Sequence, residues 1–176
     1  RLLIPTLLLR RADSALPEFW PQVRAAQGEP HSEGIEAASP FGAEFLLLAR
    51  LKKIFLLLLG AVESQRQEQE LLLALGDMVI DIFALESALL RADQGWSTAS
   101  ERKQGLLQAV VKSLAFELSG QFQAAAGRCA AYGAQAAELP ALQTTIARLG
   151  AYPVSGLLAA KQQLAAAAGE SGGYMF

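Results

Sequence analysis

The chain has 176 residues, 52% of them apolar, and a formal charge of −2 with a pI near 5.5. That is enough for one domain with its own core, too apolar for disorder, and the wrong charge for a nucleic-acid footprint. Alanine and leucine dominate while β-branched residues are sparse, which predicts an all-α fold. One cysteine, Cys129, allows no internal disulfide and points to a reducing compartment. One histidine, His31, leaves any triad or metal site to be built around a single residue.

Residues 1–12 (RLLIPTLLLRRA) read as a short helix, apolar on most sides and ending in paired arginines. Pro5 lacks an amide donor, so the helix either starts there or is kinked. The chain does not open with methionine and carries no signal-peptide pattern, so a piece of a longer polypeptide is expected. Residues 17–27 form a weak helical pattern, with Pro17 at its first position and Trp20 as an anchor. Residues 28–42 (GEPHSEGIEAASPFG) have no periodicity and read as a linker, in which His31 is expected to be a solvated loop residue.

A helix is predicted over 41–62, apolar nearly all round and therefore central. Arg50, Lys52 and Lys53 interrupt its apolar run, and residues 54–62 fall short of the roughly 20 residues that a membrane span needs. Ser64 with Gln67 has the capping-box pattern, which places a tight turn at 62–65 and a long helix at 66–93. Leu72, Leu75, Val79, Ile82 and Leu89 form the seam of that helix. The opposite stripe, including Ala74, Asp77, Asp81, Ala84 and Ala88, is polar or small, and Glu86 projects into the apolar arc. After a turn at 94–100, with Thr98 and Glu101 as a second capping pair, a third long helix is predicted over 101–133. Pro140 opens a short helix to Leu149, stopped by Gly150. Tyr152-Pro153 makes an extended joint, and a last helix from Pro153 or Val154 ends at Gly169. The tail, with Tyr174 and Phe176, has no period.

Antiparallel packing about the 62–65 turn sets Lys52 and Lys53 level with Asp77, and Arg50 level with Val79, one turn from Asp81. The same arithmetic leaves Glu86 near Ala43 and Glu44, without a partner. Folding back the 101–133 helix brings Leu106 level with Glu86 and makes Arg102, Lys103 or Gln108 its candidate partner. Glu86 is thus expected to be ionised and paired in the core, where breaking a pair from one side typically costs ~3–5 kcal/mol. Asp77 and Asp81 are four apart, as acid-base and carboxylate metal sites require, but no helix supplies the histidine of a carboxylate-bridged site. The expected reading is a solvated or salt-bridged stripe. Core salt bridges are likewise preferred over a membrane-facing role for Arg50, Lys52 and Lys53. Cys129, among alanines, is expected to be a small buried hydrophobe. No catalytic, cofactor-binding or metal-ligating residue is assigned, and the six residues singled out (Glu86, Asp77, Asp81, Arg50, Lys52, Lys53) are given structural roles.

Arg1-Leu-Leu-Ile-Pro-Thr-Leu-Leu-Leu-Arg-Arg-Ala resembles a junction in acyl-CoA dehydrogenases of the long-chain and very-long-chain type. There a Tyr-Glu-Gly-Thr-Asn-Glu-Ile-like segment precedes an Arg-Leu-Leu-Ile/Val-Pro helix. LARLKKIFLLLLGAVES, QEQELLLALGDMVIDIFALESALLRA and the Tyr152-Pro153 joint resemble the extra C-terminal helical domain of those enzymes. The resemblance implies an FAD-dependent parent that oxidises acyl-CoA to trans-2-enoyl-CoA, with its catalytic glutamate upstream of Arg1. This chain is then inactive alone and binds no flavin itself. The implied partners are the upstream catalytic part and a second copy in a homodimer, with acyl-CoA as the parent's substrate and membrane-surface contact near residues 28–42. A cytoplasmic bacterial setting is expected. The implied division is 1–27 as the end of the catalytic core's helical domain, 28–42 as linker and 43–176 as helical bundle. The rival reading is a stand-alone helical interaction or peripheral membrane module.

Overall fold

The computed structural model describes residues 2–15, 18–26, 39–65 and 67–171, and all regular structure among them is helical. The elements are α1 (Leu3–Ser14), α2 (Phe19–Ala26), α3 (Gly42–Ala61), α4 (Gln69–Trp96), α5 (Glu101–Gly133), α6 (Leu139–Gly150) and α7 (Leu157–Ser171). A 3-10 turn, Glu63–Gln65, follows α3. The all-α class and the three long helices are as expected. Pro17, His31 with residues 28–38, and the tail with Tyr174 and Phe176 lie outside the described residues.

Pro5 sits in the first turn of α1 and Pro21 in the first turn of α2, where a missing amide donor leaves no helical bond unmade. Trp20 donates to Asp13 Oδ1 at 3.0 Å and meets Phe19 edge-on at 5.4 Å between ring centroids, joining α2 to the end of α1. Helix α3 is the central rod. Leu51, Ile54, Leu58 and Leu59 have at most 1% of their surface in water, and α3 packs against α2, α4, α5 and α6. Helices α4 and α5 lie alongside each other as an antiparallel pair. α7 rests on α5, α6 on α3 and α5, and α1 on α4. Phe41, where the expected linker and the expected 41–62 helix overlap, is core: it is 1% exposed and meets Trp96 edge-on at 5.3 Å.

Several boundaries differ from expectation, each for a local reason. Helix α4 starts at Gln69 rather than near Arg66, and the Ser64/Gln67 box does not form. Backbone bonds from Gln65 N to Val62 O and from Glu68 N to Gln65 O, both 2.9 Å, build a longer 3-10 connection instead, and the N-cap Glu68 makes no side-chain cap bond. At its other end α4 runs through Gly95 to Trp96. Ser100, not Thr98, caps α5 by accepting from Lys103 N, and Thr98 Oγ1 donates back to Gly95 O. Helix α7 begins at Leu157 because Gly156 adopts φ +70°, which breaks the chain direction, and Gly169 lies inside the helix rather than ending it.

The α3–α4 turn is locked against the end of α5. Gln65 Nε2 donates to Gly133 O at 3.1 Å, and Val62 is wholly buried against Gly133. A Cβ on Gly133 would overlap the Val62 side chain and approach Leu71 Cδ2 to 3.1 Å. Gly133→Ala is therefore expected to lower stability by about 1–3 kcal/mol through overpacking. Thermal unfolding of Gly133→Ala, Val62→Ala and the double variant checks it. A favourable coupling of the two changes is expected, and simple additivity would show that the close approach does not matter.

Candidate functional site

The charged residues of α3, α4 and α5 form the chemically distinctive part of the molecule. The buried face of α4 centres on Leu71, Met78, Leu85 and Leu89, each at most 1% exposed, while Val79 is half-buried. The expected seam holds at Leu72, Leu75, Ile82 and Leu89, all buried, and the arc is rotated slightly past it, away from Val79 and toward Met78 and Leu85. The rotation has two consequences. Glu86 moves to the edge of the apolar arc, where its side chain is 38% exposed. Asp81, placed by sequence on a solvated stripe, is carried inward and is 7% exposed, beside Ala74 at 3%.

The ion pairs follow this geometry rather than the expected register. Glu86 Oε1 accepts from Lys52 Nζ at 2.6 Å, so its partner is Lys52 on α3 and not Arg102, Lys103 or Gln108. Arg102 pairs with Glu170 of α7 instead. Asp77 Oδ2 accepts from Arg128 of α5 at 3.3 Å. Lys53 is buried on α3, and Arg50 is half-buried. The level-neighbour arithmetic assumed a short turn and parallel axes. The longer connection and the sharing of α3 among four helices displace the level of contact, and a lysine side chain spans what remains.

Burial pushes the Asp81 carboxyl up to about 6, with the nearby Asp77 charge adding to the shift. Burial also pushes the Cys129 thiol up to about 12; it is wholly enclosed and has no thiolate character at neutral pH. At the far end of α3, the buried Glu44 accepts a short hydrogen bond from the Tyr152 hydroxyl, tying α3 to the α6–α7 joint. Burial, and then the bond to Glu44, hold the Tyr152 phenol above its ordinary value. Among the described residues, no three of His, Cys, Asp and Glu come together as metal ligands. No described helix is long and apolar enough to cross a membrane. Sequence reasoning missed two features: the Glu44–Tyr152 contact and the burial of Asp81. A signal for the second was present, because alanines flanking Asp77 and Asp81 at helical spacing mark a close helix–helix approach as readily as a solvated face.

Two expectations follow. The Lys52–Glu86 pair is half-exposed, so Glu86→Leu is expected to shift stability by under about 1 kcal/mol rather than the buried-pair penalty. Chemical denaturation of Glu86→Leu and Lys52→Leu measures it, and a loss of several kcal/mol would contradict the half-exposed geometry. Folded Asp81 holds its proton more tightly than the unfolded chain, so folding takes up a proton between about pH 4 and 6. Stability from this group is therefore greatest at low pH and declines as pH rises through about 6, by on the order of 2 kcal/mol. Asp81→Asn is expected to raise the melting temperature at pH 8 and to flatten that decline; an unchanged pH profile would exclude Asp81 as its source.

Comparison with known proteins gives this arrangement a family. The sequence model described as acyl-CoA dehydrogenase, C-terminal domain, matches residues 50–138, the span from mid-α3 through α5 to the turn before α6. Among solved structures, an acyl-CoA dehydrogenase complexed with FAD from Bacillus anthracis superposes with a TM-score of 0.87 at 22% identity. The match covers 99% of this chain but only 31% of that one, and at such identity it speaks for the fold alone. No curated protein sequence matches the chain. With the family's domain matched over half its length, the chain belongs to the acyl-CoA dehydrogenase family, through that family's C-terminal domain.

Proposed function

We propose that this chain is the C-terminal helical part of an FAD-dependent acyl-CoA dehydrogenase of the long-chain type. The observation that carries the reading is the asymmetry of the structural match: nearly all of this chain corresponds to under a third of a flavin-bound enzyme. In the parent, a glutamate upstream of Arg1 removes the α-proton of the acyl-CoA thioester while hydride passes to FAD, giving trans-2-enoyl-CoA. The residues present here bind neither group. Residues 1–27 close the catalytic core's helical domain, 28–42 link, and 43–176 form the bundle. Glu86, Asp77, Asp81, Arg50, Lys52 and Lys53 serve its internal packing, and the setting is cytoplasmic.

The role left to the bundle is assembly with the catalytic part and with a second copy. Supporting this, α1 leaves Leu3 68% and Leu7 45% exposed, and α4, on which α1 rests, leaves Ile80 38% and Phe83 70% exposed. Exposed apolar side chains on two helices that pack together fit a surface that another body covers. The test is the polypeptide extended upstream through a Glu-Gly-Thr segment. It is expected to purify with FAD and to reduce an artificial electron acceptor on addition of acyl-CoA, while the 176-residue chain alone does neither. Stoichiometric FAD on the 176-residue chain would overturn the proposal.

A further inference from the structure

A trough of about 500 Å³ runs between α4 and α5 near their connecting turn. Its volume lies in the range of small-molecule sites. The lining is mostly aliphatic: Ala88 and Ala92 from α4, and Leu107, Val110 and Val111 from α5, with Ser87 of α4 contributing one hydroxyl and no aromatic ring present. Two exposed cations, Arg91 of α4 and Lys103 of α5, line it, and no acidic side chain does. Among the described residues, neither cation enters an ion pair, whereas the neighbouring Arg102 is taken by Glu170.

These features select a ligand. Apart from the two cations, Ser87 is the one hydrogen-bonding side chain in the lining, too few for a peptide or a sugar, whose several polar groups would lose water without replacement. A saturated chain loses nothing there and gains by leaving water. Two cations free of acidic partners call for an anion at one end of that chain. We propose that the α4–α5 trough binds a monomeric fatty-acid anion, with its alkyl chain on Leu107, Val110 and Val111 and its carboxylate against Arg91 and Lys103. This site shares no residue with the flavin chemistry of the proposed parent, and its occupation does not depend on that reading.

The test is methyl NMR on the full-length protein, titrated with decanoate below its micellar concentration. Expected are saturable shifts at the Leu107, Val110 and Val111 methyls, at least tenfold weaker for decanol. The double charge reversal Arg91→Glu/Lys103→Glu removes two exposed cations outside the core and is expected to weaken decanoate binding at least tenfold. Ala88→Phe, which fills the trough, is expected to do the same while leaving the unfolding midpoint close to that of the parent. Absence of shifts at these methyls, or decanoate binding indifferent to both variants, would overturn the proposal. So would a response to vesicles of anionic phospholipid without one to monomeric decanoate, since that assigns the cations to a membrane surface.

Discussion

Helix α3 carries apolar side chains around almost its whole circumference, and the free energy of hiding them from water arranges the other helices. A helix with one apolar stripe needs one neighbour; a helix apolar on every side needs several. Helix α3 has four, α2, α4, α5 and α6, drawn from both ends of the chain. At roughly 1.5–3 kcal/mol for each fully buried leucine or isoleucine, Leu51, Ile54, Leu58 and Leu59 alone supply an interaction that no surface ion pair approaches. The exact match of charge to charge is therefore secondary. Helices settle where their apolar faces are covered, and long side chains then reach for partners. Lys52 finds Glu86 this way, and Arg128 finds Asp77.

That hierarchy explains which parts of the structure were legible in the sequence. The helical class, the central place of α3 and the span of α5 rest on composition and periodicity, which are properties of single helices. The 101–133 prediction coincides with α5 at both ends because Ser100 offers a true N-cap and the chain turns extended after Gly133. Register is a property of pairs, and it was not legible. It depends on the length of the 3-10 connection after α3 and on how the axes cross, and neither leaves a periodic trace. The buried arc of α4 keeps Leu72, Leu75, Ile82 and Leu89 of the expected seam and extends past it toward Met78 and Leu85, a shift of less than one residue's rotation. It is enough to send Glu86 outward and Asp81 inward.

The termini of the helices teach a related lesson. Glycine and capping pairs mark where a helix is able to stop, and tertiary contacts decide whether it does. Gly95 and Gly169 lie within α4 and α7, while Gly156, at φ +70°, is the glycine whose conformation the fold uses. Helix α4 continues through Gly95 because Trp96 gains an edge-on contact with Phe41, and extending the helix by one turn delivers it there. Gly133 matters for a different reason: it lets Val62 and the α3–α4 turn close onto the end of α5.

Asp81 bears most directly on what this domain does. A carboxyl that titrates near 6 is the kind of group that catalytic sites employ, and in isolation it would invite that reading. Its surroundings argue otherwise. The shift comes first from burial and then from Asp77, which is held by Arg128, so helix packing accounts for it. Neither the α4–α5 trough nor the hollow lined by Gly60, Ala61, Glu63 and Ser64 includes either aspartate. A general acid or base must reach a substrate proton within hydrogen-bonding distance, and a carboxyl enclosed between helices does not. The perturbed group thus records the closeness of α4 to its neighbours.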